Sequence, residues 1–172
     1  NKNQIISVQE IAESNSFNYY RNSVREYLKL GATALKKMNK DEKFRLLNKL
    51  KGLENYSYKT LLLETKVFNS TNELKNYLNE ISKIAISLNN KFPALGNEKM
   101  FNAVFDYNNN IFKNVNQQEC YGDCYDYYDV CFASCFFRWS NCVGDCDSSD
   151  LGCEADCDQL SDECESRCGY DV

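Results

Sequence analysis

The chain has no histidine, one proline, one tryptophan and seven glycines in 172 residues, and residues 1–119 contain no cysteine. Without histidine the commonest general base is gone, and with it the serine and cysteine triads that depend on imidazole and every His-containing zinc site. The scarce glycines form neither a Walker A pattern nor a dinucleotide fingerprint. A single proline, Pro93, leaves nearly the whole length free to be helical. No apolar run approaches the roughly 20 residues of a membrane-crossing helix. Nothing pairs the acidic residues convincingly in a cleft. The sequence therefore points away from an enzyme, a cofactor, a small-molecule substrate and a transmembrane segment.

All ten cysteines fall between Cys120 and Cys168, in five CxxxC pairs: CYGDC, CFASC, CVGDC, CEADC and CESRC. The first cysteine of each pair is at 120, 131, 142, 153 and 164, an unbroken 11-residue repeat. The middle residue of each pair is small: Gly122, Ala133, Gly144, Ala155 and Ser166. Eleven residues make three helical turns, so these cysteines form a narrow stripe along one helix face. Thiols at i and i+4 of a regular helix stand about 5–6 Å apart at Cβ, whereas a disulfide wants about 3.8 Å. The stripe needs a partner, which is another part of the tail, another chain or a metal.

The best internal turn is Asp147-Ser-Ser-Asp-Leu-Gly152, a cluster of turn and cap residues. Reversal there puts the repeat in register with itself and predicts a ladder: Cys146 with Cys153, Cys142 with Cys157, Cys135 with Cys164, and Cys131 with Cys168. Cys120 and Cys124 are left over, to join each other or to bridge chains. Spacing alone does not fix connectivity, and reversal at Tyr125 to Val130 is the main internal competitor. The expected fold is all-α: a helical-bundle head over 1–118 and a disulfide-laddered antiparallel hairpin over 119–172.

Two resemblances attach to these pairs. CxxxC pairs along helices resemble those of the bacterial copper storage proteins, which implies Cu(I) held by thiolates facing into a bundle. Here all the pairs lie in one tail segment, and the nearby acids disfavour the thiolate. Facing CxxxC pairs also resemble alpha-hairpinin peptides and the small chaperones of the mitochondrial intermembrane space, which implies inner and outer bridges across a hairpin. A toxin or bacteriocin-like precursor is a third reading, although no basic cleavage site separates head from tail, and an acidic tail is unlike a cationic membrane-active peptide. Calcium at Asp145, Asp147, Asp150 and Glu154 is disfavoured because Leu151 stands where a ligand is required.

Net charge is −5, but residues 1–118 carry 18 basic and 11 acidic side chains, a balance of +7, while 119–172 carry 2 and 14, a balance of −12. Two such surfaces are either separately solvated or attract, within one molecule or between copies. The lysines are spread out and the tail is acidic, so nucleic acid is not the expected partner. A protein partner or self-association is. The patterned cysteines and the start at Asn1 lead us to expect an exported chain in an oxidising compartment.

Within the head, helices are expected over 4–13; from Ser16 as N-cap to Leu30 with Gly31 as stop; from Asn39 with Glu42 to Gly52; over Tyr58 to Phe68; and from Ser70 with Glu73 to Phe92. A last helix starts at Asn97, with an interruption near Asn108 to Asn110. Tyr121, Tyr125, Tyr127, Tyr128, Phe132, Phe136, Phe137 and Trp139 crowd the first half of the tail, whereas 140–168 contain no aromatic. The first half is therefore expected to pack on the head and the second to ride outside.

Overall fold

A computed structural model describes residues 6–53, 57–115, 122–147 and 149–168, with the side chains of 111–130 and of Ser166 excepted. Among these residues the chain is all helix: α1 (Val8–Ala12), α2 (Asn15–Lys36), α3 (Lys40–Lys51), α4 (Tyr58–Glu64), α5 (Thr71–Lys91), a 3-10 turn (Pro93–Gly96), α6 (Glu98–Val115), α7 (Gly122–Asp145) and α8 (Leu151–Ser166). The expected boundary between 118 and 119 lies outside the described residues. Packing divides the chain into two compact units, 1–22 with 82–172, and 23–81. The hairpin α7–α8 thus belongs to the same unit as α1 and α6.

Local chemistry sets most of the ends. Ser7 and Glu10 close a reciprocal capping box at α1. Asn39 Oδ1 accepts from the Glu42 amide at 2.9 Å, and Gly52 ends that helix. At α5, Ser70 Oγ accepts from the Glu73 amide at 3.1 Å, but Glu73 reaches back to the amide of Asn69 and not of Ser70. Phe92 leaves the helical region before Pro93, and Asn97 Oδ1 restarts the chain by accepting from Met100.

Four expectations are corrected. The cap of α2 is Ser14, whose Oγ accepts from the Phe17 amide at 3.2 Å, and not Ser16. Nor does α2 stop at Gly31; it runs on to Lys36. Gly31 is there for close approach, since a Cβ on it would lie 2.7 Å from Tyr58 Cε2. α4 ends at Glu64, not Phe68, because the chain turns off with Lys66 in the left-handed region at φ 58°. The amides of Lys66 and Val67 then bond the carbonyls of Leu63 and Leu62 at 3.1 and 3.0 Å, a Schellman closure. Finally, α6 is unbroken through Asn108–Asn110. Asn108 Nδ2 donates to the Ala12 carbonyl at 2.7 Å and to Asn18 Oδ1 at 2.8 Å, and Asn109 Oδ1 accepts from Arg21 at 3.0 Å. Tertiary hydrogen bonds outweigh the poor helix propensity of three asparagines.

In the unit formed by 1–22 and 82–172, Phe17, Tyr20, Phe101, Phe105 and Phe137 make an aromatic core, with ring centroids 5.0 Å apart for Phe101–Phe137 and 5.7 Å for Tyr20–Phe137. The unit of 23–81 is centred on Leu46, Leu50 and Leu61, with Leu35, Met38 and Tyr58 packed against them. Tyr58 Oη lies 2.7 and 2.8 Å from the carbonyls of Tyr27 and Leu28 and accepts from the Gly31 amide at 2.9 Å.

Candidate functional site: the laddered hairpin and its groove

One face of α7 is apolar and rests on the core. Phe132, Ala133, Phe136, Phe137 and Ser140 are buried, and Tyr20 Oη donates to the Ala133 carbonyl at 2.7 Å. Burial pushes the Tyr20 phenol well above its ordinary pKa. Two of the small residues between cysteines belong to this face: Ala133 is fully buried, and a Cβ on Gly144 would meet Ile86 Cδ1 at 2.9 Å. In a helix the residue two after a cysteine points about 200° away from it, so a core-facing small stripe directs the thiols outward, towards α8.

The chain reverses between α7 and α8. Asp150 caps α8 by accepting from the Cys153 amide at 3.0 Å, and its own amide bonds the Asp147 carbonyl at 2.8 Å. Among the described residues there are four disulfides: Cys131–Cys168, Cys135–Cys164, Cys142–Cys157 and Cys146–Cys153. Their Cα–Cα distances of 5.6, 5.6, 5.8 and 5.8 Å are the ordinary disulfide separation. Cys120, and the side chain of Cys124, lie outside the described residues.

The bridges come in two touching pairs. Cys135 Sγ is 3.8 Å from Cys168 Sγ, and Cys146 Sγ is 3.8 Å from Cys157 Sγ. The sulfurs of Cys131, Cys135 and Cys168 lie within 4.8 Å of one another, as do those of Cys146, Cys153 and Cys157. Bridged sulfur is not thiolate, so these groups become soft-metal ligands only on reduction.

α8 differs in kind from α7. Cys157 and Ser161 are buried, as is Cys168 just beyond its end, while Asp156, Asp158, Asp162 and Glu163 are exposed. Leu151 and Leu160 are also exposed, at 77% and 61%. The helix is pinned by sulfur more than by core burial. One further tie runs from Trp139 Nε1 to Asp158 Oδ1 at 2.7 Å.

Between the two pairs of bridges α6, α7 and α8 enclose a groove of about 510 Å³. Its wall includes the Cys135–Cys164 and Cys142–Cys157 bridges, Trp139 and Leu160, and the arginines Arg138 and Arg167. Arg138 meets Glu98 at 3.4 Å, and its Nη2 lies 3.1 Å from Cys164 Sγ. Ser134 Oγ also lines the groove, buried and without a hydrogen-bond partner among the described residues. Neither the cysteine repeat nor the aromatic pattern marks this groove, yet the sequence carries a signal for it. Arg138 and Arg167 are the tail's two cations, and each follows by three residues a cysteine of the same bridge.

The fold and site thus define a class: an all-α protein whose last two described helices are stapled into a ladder. Compared with known proteins, the chain is significantly similar to no family model, no curated protein and no solved structure. Four disulfides fit an oxidising environment, and no helix among the described residues is long and apolar enough to cross a membrane.

Proposed function

We propose that the protein is an exported, non-enzymatic interaction or structural module whose stapled tail holds an acidic helix rigid for a basic protein surface, a second copy of the chain included. The observation that carries this reading is the contrast within the hairpin. α7 is seated by burial, whereas α8 is cross-linked through Cys153, Cys157 and Cys164, and through Cys168 just beyond it, while Asp156, Asp158, Asp162 and Glu163 are exposed. A helix held this way keeps its shape without needing its outer face for packing. The balance of +7 in residues 1–118 makes a further copy electrostatically suited to the −12 tail.

Sedimentation at low and high salt tests this, together with the variant Asp156→Asn/Asp158→Asn/Asp162→Asn/Glu163→Gln. Self-association should be strongest at low salt and weaken in the variant; association equal in both proteins at every salt would refute the acidic face. Rigidity is tested by a glutamate-specific protease. Glu154, Glu163 and Glu165 should resist cleavage until the bridges are reduced.

The proximity of three sulfurs in each group supports a second reading, soft-metal sequestration by the reduced tail. Thiol titration of protein taken from its native source separates the two. Free thiols at the eight bridged positions would favour metal, and their absence the stapled module.

A further inference from the structure

We propose that Cys135–Cys164 is a thiol-exchange site, and that the groove beside it takes a small anionic thiol whose sulfur attacks Cys164 Sγ. The placement of charge is the first argument. The tail carries 14 acidic side chains and 2 basic ones, and both basic ones, Arg138 and Arg167, line this one groove. Each stands three residues beyond a cysteine of the same bridge. At 1.5 Å rise per residue in antiparallel helices, they flank the bridge by about 4.5 Å to either side along the hairpin. Glu98, which meets Arg138, and Glu163 also line the groove, so it holds both signs of charge, whereas the rest of the tail carries acidic side chains and no basic one. The tip bridge Cys146–Cys153 sits among Asp145, Asp147, Asp150 and Glu154, with no basic residue of the tail within seven positions of either cysteine.

Access and activation agree with this placement. Cys164 is half-buried and Cys135 is 1% exposed, so attack falls on Cys164. Arg138 Nη2, 3.1 Å from Cys164 Sγ, faces the negative charge that spreads over the three sulfurs during exchange. Ser134 Oγ, 5% exposed and lacking a partner among the described residues, offers a donor inside the groove. Trp139 and Leu160 provide an apolar wall for the body of the ligand.

The step balances within itself. The incoming thiolate forms a bond to Cys164 Sγ, the Cys135–Cys164 bond breaks, and the electron pair leaves on Cys135 Sγ as thiolate. That sulfur already lies 3.8 Å from Cys168 Sγ. It can attack there in turn, forming Cys135–Cys168 and releasing Cys131 as thiolate, so one exchange at the groove passes to the neighbouring bridge. The inference does not depend on partner binding: a hairpin that bound nothing would still open first at this bridge.

The probe is reduced glutathione, which carries two carboxylates, compared with 2-mercaptoethanol, which carries none. The intact oxidised protein is exposed to limiting amounts of each, trapped with an alkylating reagent, and mapped by peptide mass. With glutathione the first adduct is expected on Cys164, with the first free thiol at Cys135 or Cys131. Arg138→Gln should slow that adduct about threefold or more, the lower end for a charge-assisted contact at a half-exposed group, and should slow the reaction with 2-mercaptoethanol less, since that thiol loses only the stabilisation of the reacting sulfurs. Arg167→Gln provides an independent variant, and the comparison of the two thiols on the unaltered protein needs no variant at all. The proposal is overturned if glutathione first modifies Cys146 or Cys153, if glutathione shows no greater preference for Cys164 than 2-mercaptoethanol does, or if neither arginine variant changes the rate at Cys164.

Discussion

Single side chains in this protein do work that their residue type does not announce. Gly31 lies in the middle of α2, where alanine is intrinsically preferred by about 1 kcal/mol. Its missing Cβ admits the Tyr58 ring, which is anchored by hydrogen bonds to three backbone groups. Gly31→Ala should therefore lower stability by about 1–3 kcal/mol despite the propensity gain, read as a drop in urea midpoint. The loss should shrink in a Tyr58→Ala background, where the obstruction is gone. Tyr20 is the second case. Its phenol is held neutral by burial, so above about pH 10, the usual tyrosine value, the unfolded chain releases a proton that the folded one retains. The native state then binds more protons, and stability must fall as pH rises from there towards the raised folded value. Below that window the contribution is complete. Tyr20→Phe should cost about 1 kcal/mol at neutral pH, since the Ala133 carbonyl keeps its helical partner, and should flatten the alkaline decline in melting temperature.

At the scale of elements, most helix starts were legible because caps are local. Asn39 with Glu42, Ser70 with Glu73, and Asn97 each announce a helix within four residues. What was not legible depended on distant partners. The interruption expected at Asn108–Asn110 does not occur because Ala12 and Asn18 bind Asn108 Nδ2 and Arg21 binds Asn109 Oδ1 from some 90 residues away. The end of α4 was missed for the opposite reason: a lysine stands where glycine normally signals the stop. That position makes a prediction. A non-glycine residue in the left-handed region carries roughly 1–2 kcal/mol of strain, so Lys66→Gly should raise stability by about 1 kcal/mol with the structure unchanged, measured by denaturant titration. The hairpin turn was readable in the tail because, of the gaps at which the repeat can fold back in register, Asp147 to Gly152 is the one rich in turn and cap residues. The groove was not, since Glu98 and Asn102, which help to enclose it, come from α6, and no local pattern links them to the ladder.

For the whole molecule, the nesting of the bridges decides what each contributes. Sequence separations of 37, 29, 15 and 7 differ by 8, 14 and 8. Once one bridge is closed, its neighbour closes a short circuit and not a long loop. Removing any one bridge as a Cys→Ala pair should therefore cost about 2–3 kcal/mol, without the steep rise from tip to base that the separations suggest in isolation. Thermal unfolding of the four paired variants checks this, and a strong dependence on separation would contradict it.

The circuit of 14 has a mechanical meaning. Residues 136–141 and 158–163 form a window with no cross-link between two doubly fastened ends, and on the α7 side that window is braced by buried Phe136, Phe137 and Ser140. Flexure of the tail must then concentrate in 158–163, where amide hydrogens should exchange with deuterium sooner than those beside the bridges. The tail would behave less as a uniform rod than as two clasps joined by a single compliant span.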